Sequence, residues 1–509
     1  MSRPATLVWF ARHECRLAWR DWLSMMAAGR RRRARSIALG LAVFVLFMHG
    51  LAFVMVGRYA DVGAAPSKTV LLVVTGNALL SAALMLSQAM ESVTRAFYTR
   101  ADLDLILSSP ASARRLFSVR IAAMALSITV MAMLLAAPFI DVLAASGGPR
   151  WLGAYGVVAA MGMASTALAV ALTVALFRTL GPRRTRLVAQ IVAAVIGAAF
   201  VIGLQVAAIF SVGTLSPVAF LQSPTLAALT PDADSILWWP ARAMLGDVGA
   251  LAAVLAASTA LLGGAILLFA PRFADHALAA AGVAGGAAHR RRSRRGFRRM
   301  SPMPALRRKE WALLRRDPWL LSQTLMQLLY LLPPALLLWR SFASGMGVPA
   351  LLVPVLVMAA GQLAGGLAWL AISGEDAPDL IASAPVSARA IIRAKIEAVL
   401  GAVAFVFAPF VAALMLGAPA AGLVAALFIA IVAAASTAIQ FWFRSQARRS
   451  QFRRRQTSSR VATFAEAFSS VLWSATAALA ALGTWLAAVP GLLALAILAG
   501  TRFISPART

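Results

Sequence analysis

Apolar residues recur along this chain in blocks of roughly 20, the length an α-helix needs to cross about 30 Å of hydrocarbon at 1.5 Å per residue. Hydrocarbon offers no partner to backbone N–H and C=O groups, so such a block must satisfy them internally, as a helix. The blocks lie near 37–57, 69–91, 120–141, 151–177, 187–212, 249–270, 319–339, 349–373, 396–417, 420–442, 461–487 and 489–504. They predict an all-α polytopic membrane protein with about twelve transmembrane helices, the last two divided only by the turn signal Pro490-Gly491. Composition agrees, because 61% of the 509 residues are apolar and 13% are charged, too little polar surface for a water-soluble protein. The lone cysteine, Cys15, excludes an intrachain disulfide, and the Arg-rich residues before the first block give no sign of a cleavable signal.

Charge sets the expected orientation. With the N-terminus in the cytoplasm, 43 of the 48 Lys and Arg residues fall on the inner side, and only Arg58, Lys68, Arg150, Arg242 and Arg340 face outward. The inverse topology would break the positive-inside rule, so both termini are expected to be cytoplasmic. The net charge of +30 is then a topological signal, and Arg runs such as 290–299 are suited to the anionic headgroups of the inner leaflet. Nucleic acid is not an expected partner, because these runs flank spans and only Phe297 interleaves them.

Three segments recur in the same order along the chain. Glu14, Arg20 and Asp21 before the first span are echoed, at an offset of 296, by Glu310, Arg316 and Asp317 before the seventh. The stretch Asp104-Leu105-Ile106-Leu107-Ser108-Ser109-Pro110-Ala111-Ser112-Ala113-Arg114 recurs as Asp379-Leu380-Ile381-Ala382-Ser383-Ala384-Pro385-Val386-Ser387-Ala388-Arg389, with eight identities in eleven at an offset of 275. Phe177-Arg178 recurs as Phe443-Arg444 at an offset of 266. These repeats predict two parallel six-helix halves related by an axis along the membrane normal. The first half is 1–270, with an interfacial helix at 5–25, a polar segment at 98–119 and an outward insertion at 213–248. A basic linker follows at 271–304. The second half is 305–509, with an interfacial helix at 305–318 and a polar segment at 374–394.

The first repeated segment has the alternation of Trp and Arg expected of an amphipathic helix lying in the membrane interface. The second is polar and broken by proline. Asp104 and Asp379 can cap a helix start, Pro110 and Pro385 fix a turn, and Ser112 and Ser387 are placed to cap the helix entering the next span. It reads either as a structural turn or as a docking site for a cytoplasmic partner with two equivalent surfaces.

Interfacial helix, polar segment, six spans per half and an outward insertion before the sixth span together resemble the exporter-type (type 2) permeases of ATP-binding-cassette transporters. The Asp-Leu-hydrophobic-x-Ser-x-Pro stretch is similar to one in bacterial permeases of that group. The resemblance implies a bacterial inner-membrane permease, exporting a hydrophobic or amphiphilic substrate and driven by two copies of a cytoplasmic ATPase. It places Asp104, Leu105, Ser108, Pro110 and Arg114, with Asp379, Leu380, Ser383, Pro385 and Arg389, at the ATPase surfaces. ATP and Mg would be held by that partner, with no cofactor in this chain. The sequence departs from the family pattern by fusing both units and by lacking an outward insertion in the second.

The residues themselves argue against chemistry within the chain. A P-loop needs Gly-Lys followed by Ser or Thr, whereas Lys68, Lys309 and Lys395 follow Ser67, Arg308 and Ala394. His13, His49, His276 and His289 show no metal-ligand spacing, and His49, inside the first span, is expected to be satisfied by a nearby backbone carbonyl. Glu466 is the one carboxylate well inside a span, which makes it a functional candidate unless it pairs with Arg460 or reaches the inner surface. With Gln88, Gln323 and Gln327 it makes up the candidate pathway lining. Two other readings stay open: an ion-coupled secondary transporter, for which several buried carboxylates would be needed, and a non-transporting scaffold.

Overall fold

A computed structural model describes residues 34–57, 67–98, 113–213, 216–285, 301–316, 349–373, 383–443 and 460–505, with single positions at 9, 12, 13, 16, 17, 20, 329, 332, 333 and 336. The described residues are helical, with no strand among them, and ten helices are long and apolar enough to cross a membrane. The chain is therefore an all-α, multi-pass membrane protein. Contacts divide it into two compact units, Met1–Val212 with Ser216–Arg291, and Gly213–Leu215 with Arg292–Thr509.

In the first unit the long helices are α1 (Ala34–Val56), α2 (Lys68–Tyr98), α3 (Ala113–Gly147) and α4 (Gly153–Val212). α4 is two helices that meet at a kink at Gly181, as the separate apolar blocks 151–177 and 187–212 require, and the basic residues between the blocks are helical on either side of that kink. The Gly181 φ of 70° is open to glycine at little cost, and Pro182 then starts the next helical segment without needing an N–H partner. α2 packs on α4, burying Met85, Ala89, Met90 and Val93 at helical spacing against Ala169, Val170, Ala189 and Ala193. Phe117 and Ile121 of α3 complete this core. Some of its hydroxyls turn back on their own helices, Thr166 to the carbonyl of Gly162 and Thr173 to that of Ala169, while Ser87 of α2 donates across to the carbonyl of Ala193 at 2.7 Å.

The 213–248 insertion is compactly folded rather than a plain loop. It holds α5 (Pro217–Leu221), α6 (Pro224–Leu229), a 3₁₀ turn at Ile236–Trp238 and α7 (Trp239–Met244), whose first three pieces are capped by Ser216, Ser223 and Ser235. Trp238 and Ala241 bury against Leu71 and Leu72 of α2, and the indole N–H donates to the carbonyl of Asp232. The last helix, α8 (Val248–Gly285), continues 15 residues beyond the expected end of its span at 270, through Pro271 into the stretch read as linker.

The second unit contains α9 (Pro302–Arg316), α10 (Pro349–Ser373), α11 (Ala388–Gly417), α12 (Pro419–Trp442), α13 (Arg460–Ala481) and α14 (Ala488–Ile504). α10 packs on α12 and α13, and α13 also packs on α14. The last turn differs from the expected Pro490-Gly491. The chain reverses at Gly483, where φ is 70°, followed by a 3₁₀ turn at Trp485–Ala487. Pro490 sits in the first turn of α14, where a missing N–H leaves no helical bond unmade. The 319–339 block lies outside the described residues apart from single positions, so ten candidate spans and α1 stand where twelve blocks were read.

Candidate functional site: a charged clamp behind an exposed turn

The second polar segment ends in a tight turn. Residues 383–387 lead into α11, and the amide of Val386 bonds the carbonyl of Ala384 at 2.7 Å. Ser387, in extended conformation, accepts the Ala390 N–H at 3.3 Å and so caps the helix, as its position before the apolar run suggested. Ser383, Pro385 and Arg389 are exposed there. Helix already begins at Ala388, so only part of the expected 374–394 segment is a turn.

Two turns further along α11 the surface turn meets a buried charge cluster. Lys395 Nζ lies 3.2 Å from Glu310 Oε2, and Lys309 Nζ lies 3.1 Å from Glu310 Oε1. Glu310 is 2% exposed. Lys395 also donates to the carbonyl of Ala371, in the last turn of α10, where helix carbonyls lack intrahelical donors and the dipole favours a cation. One ammonium thus ties α9, α10 and α11 together. Breaking such a pair strands a charge in a dry site at a cost of about 3–5 kcal/mol, even where the intact pair contributes little.

A second, exposed station lies beside it. Glu397 accepts from Arg307 of α9 at 2.6 Å and from Arg393, one turn back on α11, at 2.8 Å. The Arg393 contact was legible as an i, i+4 pair, whereas Arg307 reaches it from 90 residues away. The Glu397 carboxylate raises the pKa of Arg307 above its ordinary value, chiefly through their hydrogen bond. Trp311 lies against α11 where Gly401 leaves room for the indole. Arg316 lies in the last turn of α9, and Asp317 outside the described residues.

The first unit shows part of the same arrangement. Arg114 is exposed at the start of α3, and Arg120, six residues on, is 3% exposed with its guanidinium 5.9 Å from the Phe117 ring. Arg120 and Lys395 are separated by 275 positions, the offset of the polar segments. A cation inside the first turns of a span at that offset was the available signal for Lys395, which charge counting absorbs as one more inner-side residue. Asp104, Leu105, Ser108 and Pro110 lie outside the described residues, as do Asp379, Leu380, Glu14 and Asp21; Arg20 is described and exposed.

Gln88 is exposed on α2, Gln323 and Gln327 lie outside the described residues, and Glu466 faces the packing of α10, α12 and α13 within the second unit. His49 meets the carbonyl of Val45 at 2.8 Å, as expected of it, and also Asp141 at 3.4 Å. Tyr155 donates to the same carboxylate at 2.7 Å. Asp141 and Tyr155 were missed because each stands alone at a span end, and only the packing of α3 joins them to His49. No group of three or more His, Cys, Asp or Glu residues with metal-binding geometry exists among the described residues.

No protein-family model, curated protein or solved structure matches this chain.

Proposed function

We propose that this chain is the membrane-spanning subunit of an ATP-driven permease, with the polar segments as the surfaces on which separate cytoplasmic ATPases act. The observation that carries this reading is the unbroken mechanical line from the exposed 383–387 turn into α11 and its charge clamp. A push on the turn moves a helix of 30 residues whose N-terminal third is fastened to α9 by two ion-pair stations and to the end of α10 by Lys395. Helices transmit such a displacement because packed interfaces shift between discrete arrangements rather than deform smoothly. A turn that only linked two spans would need neither the clamp nor a second copy of its sequence.

The partner would be an ATPase holding ATP and Mg at its own site, one copy for each polar segment, and α9 with its Arg and Trp residues would lie among anionic headgroups of the inner leaflet. The predominance of apolar and small residues in the spans suits a hydrophobic or amphiphilic cargo moved outward.

The test is co-purification from native membranes. The tagged chain is isolated in mild detergent, and again with Asp104, Arg114, Asp379 and Arg389 reversed in charge. A P-loop ATPase recovered at two copies per chain and lost from the folded variant is the expected result. A wild-type chain that comes out alone and moves solute under an ion gradient overturns it.

A further inference from the structure

The second unit carries a polar seam that the coupling scheme does not use. Glu466, Ser470 and Ser474 follow one another at four-residue intervals, one face of α13, and span roughly 12 Å at 1.5 Å per residue. At the first of them Gln440 of α12 donates its side-chain N–H to Glu466 Oε2, while the Gly365 backbone of α10 closes over Oε1. A Cβ at Gly365 would overlap that carboxylate oxygen. One turn on, Ser470 and Ser436 face each other at 3.5 Å, and one turn beyond, Ser474 donates to the carbonyl of Pro354.

Among the described residues the helices packed around Glu466 bring no compensating charge to it. α10 and α12 have no ionisable residue. On α14 the sole cation is Arg502, whose guanidinium lies 5.5 Å from the Trp442 ring. The side chain of Arg460, the pairing partner considered from the sequence, lies outside the described residues. Among the described residues Glu466 therefore has one neutral hydrogen-bond partner and no ion pair. An isolated carboxylate in such a place is costly, and the usual outcome is that the group neutralises. A carboxamide also complements a neutral acid at two edges, donating N–H to one oxygen and accepting the acid O–H through its own oxygen. To a carboxylate it offers only the donor edge.

We propose that Glu466 is a proton-binding site: its carboxyl is the neutral acid where α10, α12 and α13 pack around it. This inference stands apart from the ATPase-driven reading, and its test does not involve the ATPase. The full-length protein in lipid nanodiscs is compared with Glu466→Gln by infrared spectroscopy at neutral pH, in light and heavy water. The expected result is one neutral-carboxyl stretching band that shifts in heavy water and is absent from the variant. Spectra that differ instead by one carboxylate band, or not at all in the neutral-carboxyl region, overturn it. If Glu466→Gln does not fold, carbodiimide labelling of the wild-type chain decides, because that reagent needs the acid proton. The carboxyl proton passes to a carbodiimide nitrogen, its oxygen bonds the central carbon, and the adduct rearranges to a stable N-acylurea. Label on the Glu466 peptide supports the site, and a peptide left unlabelled under conditions that label a peptide-embedded neutral acid overturns it.

Discussion

The two units pack a helix of similar character in contrasting ways. In the first, α2 meets α4 through Met85, Met90 and Val93, with hydroxyls that bond within their own helices, as at Thr166 and Thr173, and two that cross, Ser87 to the carbonyl of Ala193 and Ser165 to that of Ala82. In the second, α10 meets α12 and α13 through glycine, serine, glutamine and glutamate, with bonds that run between helices. At the 275 offset Gly365 stands where Met90 is fully buried, and at the 266 offset Gln440 stands where Val174 is buried. A methionine seam gains its attraction from dispersion over many contacts and tolerates rearrangement. The glycine seam depends on close approach and on a few directional bonds, and so admits fewer arrangements.

The largest expected effect lies in the clamp that opens the second unit's span. Lys395→Ala strands Glu310 with Lys309 alone and should destabilise the purified protein by about 3–5 kcal/mol, read as a fall in thermal midpoint in detergent. Adding Glu310→Gln should recover part of the loss, since neighbours in one charge network are not additive. In the first unit, Met90→Ala leaves a cavity and should cost about 2–4 kcal/mol with no rescue by any polar change.

Gly365→Ala sharpens the contrast. The added methyl should cost about 1–3 kcal/mol by overpacking, and most of that should vanish when Glu466 is also changed to Ala. A cost that persists in the double variant would mean that Glu466 does not set the spacing of α10 and α13. Ser387→Ala, which removes the α11 cap, should cost about 1 kcal/mol. Arg389→Glu is exposed and should leave stability within about 0.5 kcal/mol, so any loss of an associated ATPase would report docking rather than unfolding.

Much of this architecture was legible. That the chain is built of membrane-length helices follows from apolar runs that no other structure can satisfy in hydrocarbon, and Ser387 and His49 found the local partners their spacing implied. Local rules misplaced the last reversal, because proline signals a turn and the helix accepted it in its first turn, while Gly483 supplied the reversing φ. The clamp was half visible. Glu310 stood out by its recurrence, but its partner Lys395 lies 85 residues away and is joined to it only because α9 packs on α11.

The sequence by itself determined that the chain is a bundle of membrane-crossing helices and where most of them begin and end, since hydropathy and backbone satisfaction act over a single segment. Only the tertiary structure decided which charges are buried and paired, and that Glu466 rests against Gly365 and the amide of Gln440. Those outcomes depend on how closely helices distant in sequence approach one another, and that distance is set by the side chains of both partners together.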